Sequence, residues 1–181
     1  MRVVFFLIDT VFFVLVAAAL LRAWLNAAHV SMAVQPGPFL LALTNWIVMP
    51  LRKLLPQSWQ RSRWDCASLV GAAALAFTQA LLLWSLGAGM LGMAWLEGGW
   101  LPLGLAVRLL VGTALQGLFL LLLLHAVLSW VQPQSPVYAW LSRLMAPLLA
   151  PVRRHLPLVG GVDLSPLVLL LAVQVALMLV G

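Results

Sequence analysis

Residues 147–166 read P-L-L-A-P-V-R-R-H-L-P-L-V-G-G-V-D-L-S-P. Two arginines stand between prolines, a Gly-Gly pair follows, and Asp163, Ser165 and Pro166 open a run of hydrocarbon side chains. A weaker copy lies earlier, with Pro50-Leu51-Arg52-Lys53-Leu54-Leu55-Pro56 set against Pro151-Val152-Arg153-Arg154-His155-Leu156-Pro157. Both carry proline, an aliphatic residue, Arg, a second cation, one free position, Leu and proline. Each block is flanked by long apolar runs, so the chain reads as a duplicated unit built around a basic segment.

The medium follows from composition. Of 181 residues, 65% are hydrophobic and 8% are charged, against about 25% charged in an ordinary soluble domain. So few polar side chains cannot cover a water-facing surface, and the surrounding solvent is lipid. The formal net charge is +6, but the cations cluster in short connections between apolar runs. Anionic headgroups are the nearer partner there, which argues against nucleic acid. Cys66 is the single cysteine, which excludes an intrachain disulfide, a CxxC pair and a cysteine-based zinc site.

Working outward, four runs are expected to cross the bilayer, over residues 3–28, 66–95, 103–130 and 164–180. A helix rises about 1.5 Å per residue against a hydrocarbon layer of roughly 30 Å, and the last run is near the short limit. A signal peptide is the competing reading of the first run, which is long for that role. Residues 39–49 and 137–150 are apolar but too short to cross, and fit interfacial or re-entrant segments. The first is expected to end at Pro50. Trp59, Arg61, Arg63 and Trp64 have the composition of a headgroup zone. Asp65 suits a helix N-terminus, and Ser165 with Pro166 suits another. Ser68, Ala72, Ala76 and Ala80 recur every fourth residue, a narrow stripe where a second helix can approach closely.

The fold class expected is therefore an all-α membrane protein of four transmembrane helices in two parallel repeats, residues 1–96 and 103–181, joined by a turn at 97–102. Two crossings per repeat place both basic blocks on one face, and the excess of Arg and Lys assigns that face to the cytoplasm, with periplasmic or external termini. Between repeats Arg22 matches His125, Asp65 matches Asp163, and Gln79 roughly matches Gln174.

Leu128-Ser129-Trp130, Pro147, Pro151, Arg153-Arg154, Pro157, Gly160-Gly161 and Asp163-Leu164-Ser165-Pro166 closely resemble the YggT family of integral membrane proteins. The first half is similar to its degenerate repeat through Arg22-Ala23-Trp24, Pro50-Leu51-Arg52 and Asp65, but lacks the Gly-Gly and Ser-Pro elements around Asp65. The resemblance implies a bacterial inner-membrane protein. Relatives there are linked to osmotic or cation tolerance and to cell-division gene neighbourhoods. Plastid relatives are linked to haem attachment in cytochrome assembly and to nucleoid distribution. No common biochemical activity is settled for the family, so the resemblance supplies no mechanism.

Candidate sites follow from charge. Arg52, Lys53, Arg153 and Arg154 are expected to fix topology and touch lipid phosphate, worth about 1 kcal/mol each near an anionic surface. A sharper alternative is a structured site in which the guanidinium groups point at a lipid phosphate or at Asp163. Asp9 and Arg108 lie about two turns inside their helices from one face and are expected to pair, since intramembrane charges are costly alone. Snorkelling is the alternative for both. Gln116 and Gln174 are expected to hydrogen-bond between helices. His125 could ligate haem, but its repeat partner Arg22 cannot bind iron, which favours a polar interfacial role. No metal, cofactor or catalytic motif is evident. The function expected is a non-catalytic organiser or assembly factor. It acts on headgroups, protein partners or a second copy through the basic segments. A small channel or transporter contributing to osmotic balance is the alternative.

Overall fold

A computed structural model describes residues 2–30, 32, 37–54, 56, 65–91, 102–155 and 164–180. Among them the chain forms helices α1 (Arg2–Ala27), α2 (Gly37–Leu54), α3 (Cys66–Leu91), α4 (Pro102–Val131), α5 (Pro136–His155) and α6 (Ser165–Val180). The expected segment around Trp59 to Trp64, the Gly160-Gly161 pair, Asp163 and residues 97–101 of the expected turn lie outside the described residues.

Two compact units share these helices. One comprises Met1–Ala27 with Ser31–Thr113, the other Ala28–Val30 with Ala114–Gly181. This division differs from that of the sequence repeats, because α4 gives its first turns to the first unit.

In the first unit, small side chains decide the packing. Ser68, Ala72, Ala76 and Ala80 of α3 are each 1% exposed or less. Val16 and Ala19 of α1 pack into that stripe with Ala72, Leu75 and Ala76, and Phe12, Leu15, Ile47 and Leu110 surround the cluster. In lipid, hydrocarbon side chains gain no hydrophobic transfer energy by meeting each other, so close van der Waals contact between slim helix faces carries the association. The short helix α2 covers both partners. Leu51, Val48 and Ile47 approach Gly71 of α3, and a Cβ placed there would meet Leu51 Cδ1 at 3.5 Å, ordinary contact.

The basic blocks differ from expectation. Pro50 does not end α2, which runs on through Arg52 and Lys53 to Leu54. Likewise α5 passes Pro147 and Pro151 and carries Arg153 and Arg154 in its last turns. A proline ring costs an internal hydrogen bond and crowds the preceding turn. All three prolines stand on exposed faces, where the helix can relax around them. The cations are thus held on helix ends, where positive charge also suits the dipole.

Caps fix the other boundaries. The Asp65 carbonyl accepts the amides of Ser68 and Leu69, starting α3. Ser135 Oγ accepts the Tyr138 amide at 3.1 Å, with Pro136 opening α5. The Leu164 carbonyl plays the same part for α6, one residue earlier than Ser165 suggested.

Among the described residues three helices are long and apolar enough to cross a bilayer, over Val3–Ala27, Cys66–Leu86 and Pro102–Val131. At 16 residues α6 is shorter, about 24 Å at 1.5 Å per residue. Exposed hydroxyls on these helices are satisfied internally. Thr10 donates to the Phe6 carbonyl, Thr78 to that of Ala74 and Ser85 to that of Leu82. That bonding removes the polar cost of facing hydrocarbon, and with the apolar surface it makes this a membrane protein.

A buried arginine–aspartate cluster as candidate functional site

Three helices of the first unit deliver polar groups to one carboxylate. Asp65 sits at the N-terminus of α3, Arg22 and Asn26 lie one turn apart near the end of α1, and Arg52 is on the last turn of α2. Asp65 Oδ2 accepts hydrogen bonds from Arg52 Nη2 at 2.7 Å, Ser68 Oγ at 2.7 Å and Asn26 Nδ2 at 3.2 Å. Arg22 Nε lies 3.7 Å from the same oxygen, close enough for charge attraction and too far for a hydrogen bond. The other arm of Arg22 donates from Nη1 to Thr44 Oγ1 at 2.8 Å and to Asn45 Oδ1 at 2.9 Å, both on α2. Thr44 in turn donates to the Leu40 carbonyl.

Burial makes these contacts consequential. The Asp65 and Arg22 side chains are 5% and 3% exposed, whereas that of Arg52 is 41% exposed. Burial alone would raise the Asp65 carboxyl. Hydrogen bonds from Ser68 and Arg52, and the charges of Arg52 and Arg22, outweigh it and hold the group below the ordinary carboxylate range. Two guanidinium groups around one carboxylate leave an excess positive charge, and its accessible end is Arg52.

The sequence paired Arg153 and Arg154 with Asp163 as the sharper alternative. Asp163 is outside the described residues, but the equivalent contact in the first repeat, Arg52 with Asp65, is formed. Lys53, Arg153 and Arg154 are exposed on their helix ends. Asp9 Oδ1 accepts a hydrogen bond from Gln79 Nε2 of α3 at 3.1 Å, and Arg108, the partner expected from the sequence, is exposed on α4. Gln79 thus makes the interhelical bond expected of Gln116 and Gln174, which are both exposed.

The second unit holds a lesser polar contact at the matching place. His125 of α4 is 1% exposed. Its Nε2 lies 3.3 Å from Ser142 Oγ of α5, and its ring centroid is 5.2 Å from that of Tyr138. Arg22 and His125 therefore do one job, tying a long helix to the short amphipathic helix that follows. Among the described residues no three His, Cys, Asp or Glu side chains gather as a metal site would require.

Sequence reasoning missed the partners Thr44, Asn45, Asn26 and Ser142. One signal was present: Arg22 interrupts an apolar run, and a charge there needs a partner. The identity of that partner depends on how α2 folds back, which composition does not encode.

Comparisons with known proteins identify a family. The CCB3/YggT family profile matches residues 1–86 and 104–181. A relative from Escherichia coli strain K12, named uncharacterized protein YggT, is 34% identical over 176 residues, covering 97% of this chain and 87% of its own. One from Vibrio alginolyticus, named for its place in the proC 3′ region, is 33% identical over 177 residues, covering 97% and 92%. An uncharacterized protein from Haemophilus influenzae is 32% identical over 154 residues, covering 83% and 76%. No solved structure matches the chain.

Proposed function

The chain belongs to the CCB3/YggT family, and from that premise we propose that it is a non-catalytic organiser of the bacterial inner membrane. It holds anionic lipid headgroups or partner proteins at two basic helix ends, Arg52-Lys53 on α2 and Arg153-Arg154 on α5, with Asp65 and its counterpart Asp163 setting the arginine geometry. The carrying observation is the cluster itself. A buried carboxylate fixes Arg52 at 2.7 Å while leaving its side chain 41% exposed, and Lys53 beside it faces outward. A preset cation at a helix end recognises a phosphate at less entropic cost than a free loop arginine.

In this proposal the helices form two parallel repeats, α6 crosses as the fourth span, both basic ends lie on the cytoplasmic side and the termini are periplasmic. Gln116 and Gln174 are exposed on helices that meet lipid, which favours covering by a second copy or a partner helix.

The test uses the whole protein in mixed micelles containing phosphatidylglycerol and phosphatidylcholine. The triple variant Lys53→Gln, Arg153→Gln, Arg154→Gln is expected to insert normally and to lose most of the wild-type enrichment of the anionic lipid. Unchanged enrichment overturns the headgroup reading. Cation flux through reconstituted vesicles favours the channel alternative instead.

A further inference from the structure

The two amphipathic helices occupy equivalent places in the repeats, yet their outward faces differ in kind. Aligning Pro50 with Pro151 brings the buried positions Leu40, Thr44 and Val48 of α2 onto Leu141, Met145 and Leu149 of α5, all buried too. The inward faces therefore match. On the outward face α2 shows Phe39 at 59% exposed, Trp46 at 59%, Met49 at 50% and Leu54 at 81%, with Lys53 exposed at the C-terminal end of the same face. In α5, proline and alanine replace two of these, Pro147 for Trp46 and Ala150 for Met49, while Arg143 replaces Ala42. The exposed residues Arg143, Pro147, Ala150 and Arg154 recur at helical spacing, with no large apolar group between the two guanidinium groups; Arg154 stands where α2 has Lys53, so the contrast lies in Arg143, Pro147 and Ala150.

A face of four large apolar side chains is excluded from water by its own area. One further detail fits hydrocarbon. The one polar group of the Trp46 side chain, its indole N–H, donates to the Leu43 carbonyl of its own helix at 2.7 Å, so the ring needs no hydrogen bond from water. Nothing comparable is available to Arg143, which lies along the length of α5 where α2 has Ala42 and whose charge requires headgroups or water.

We propose that α2 and α5 have diverged in the medium they meet: the outward face of α2 from Phe39 to Met49 lies among lipid acyl chains, with Lys53 at its end reaching the headgroups, and the face of α5 from Arg143 to Ala150 meets the headgroup and aqueous zone. The first amphipathic helix is then a hydrocarbon-embedded wedge, and the second is the one that presents its length to what lies outside the membrane. The inference rests on the membrane placement above, and does not require either basic end to prefer anionic lipid.

Spin-label accessibility tests it directly. In a Cys66→Ser background, single cysteines replace Trp46, Met49 or Phe39 on α2, and Arg143, Pro147 or Ala150 on α5. Each labelled full-length protein is reconstituted in phosphatidylcholine vesicles, with and without phosphatidylglycerol. Collision rates are read with oxygen, which partitions into hydrocarbon, and with a neutral nickel chelate, which stays in water. The α2 sites should favour oxygen by at least fivefold more than the α5 sites, in both lipid mixtures. Nickel access at the α2 sites, or equal oxygen access at the α5 sites, overturns the proposal. Because the pattern is expected in pure phosphatidylcholine, a failure of anionic-lipid preference leaves it intact. Three sites per helix keep the comparison valid if one variant does not fold.

Discussion

Replacing Asp65 with Asn removes one charge and almost no volume, so it isolates the electrostatics of the cluster. What remains is Arg22, 3% exposed in its side chain, beside Arg52 with no anion between them. Removing one partner of a buried ion pair costs about 3–5 kcal/mol, because the remaining charge stays desolvated. Arg52 adds little to that figure, being 41% exposed in its side chain and partly screened; its own replacement by Gln should cost about 0–1 kcal/mol. For a chain of this size each kcal/mol moves the midpoint by about 2–4 °C. Asp65→Asn should therefore lower Tm in detergent by roughly 6–20 °C, far more than Arg52→Gln. Adding Arg22→Met to Asp65→Asn should recover a large part of the loss, since the orphaned charge is then gone. The pH dependence has a definite sign. The folded carboxyl sits below its unfolded value of about 3.9, so its contribution is complete above that pH and fades as pH falls through the folded value. The wild type should lose stability there, and Asp65→Asn should not show that component. An Asp65→Asn shift no larger than that of Arg52→Gln, or no recovery on adding Arg22→Met, refutes the cluster as a linchpin.

Three more outcomes follow from packing. Ala72→Leu places a large side chain in a fully buried stripe and should cost about 1–3 kcal/mol by thermal unfolding. A Cβ at Gly37 would collide with the Met32 backbone, whose Cα and C lie 2.6 Å away; Gly37→Ala should lower Tm clearly, while Gly71→Ala, with only ordinary contacts, should not. Gln79→Leu removes the donor to Asp9 and should destabilise by about 0.5–2 kcal/mol, read as an earlier midpoint in a denaturant titration.

The spans were legible because apolar length and charge placement report directly on lipid, and α1, α3 and α4 lie close to where those runs put them. The small-residue stripe of α3 was legible for the same reason: alanine at every fourth position admits a neighbour. Pro50 misled, since proline is a helix terminator by propensity, and here an exposed face lets α2 continue through it. For Asp9, charge matching pointed to Arg108 and did not foresee the amide donor Gln79 from the helix that packs on α1. The cluster was half legible. Asp65 and Arg52 stood out by repeat symmetry, but Arg22 joins them only because α2 folds against α1 and α3, a long-range event with no local signature.

The account depends most on where the two basic helix ends lie. Single cysteines at Lys53 and Arg154, in a Cys66→Ser background, can be probed with a membrane-impermeant maleimide in intact spheroplasts and in inside-out vesicles. Both should be protected in spheroplasts and labelled in inside-out vesicles. Labelling of one site in each preparation would contradict the parallel repeat and, with it, a shared surface for headgroups or partners.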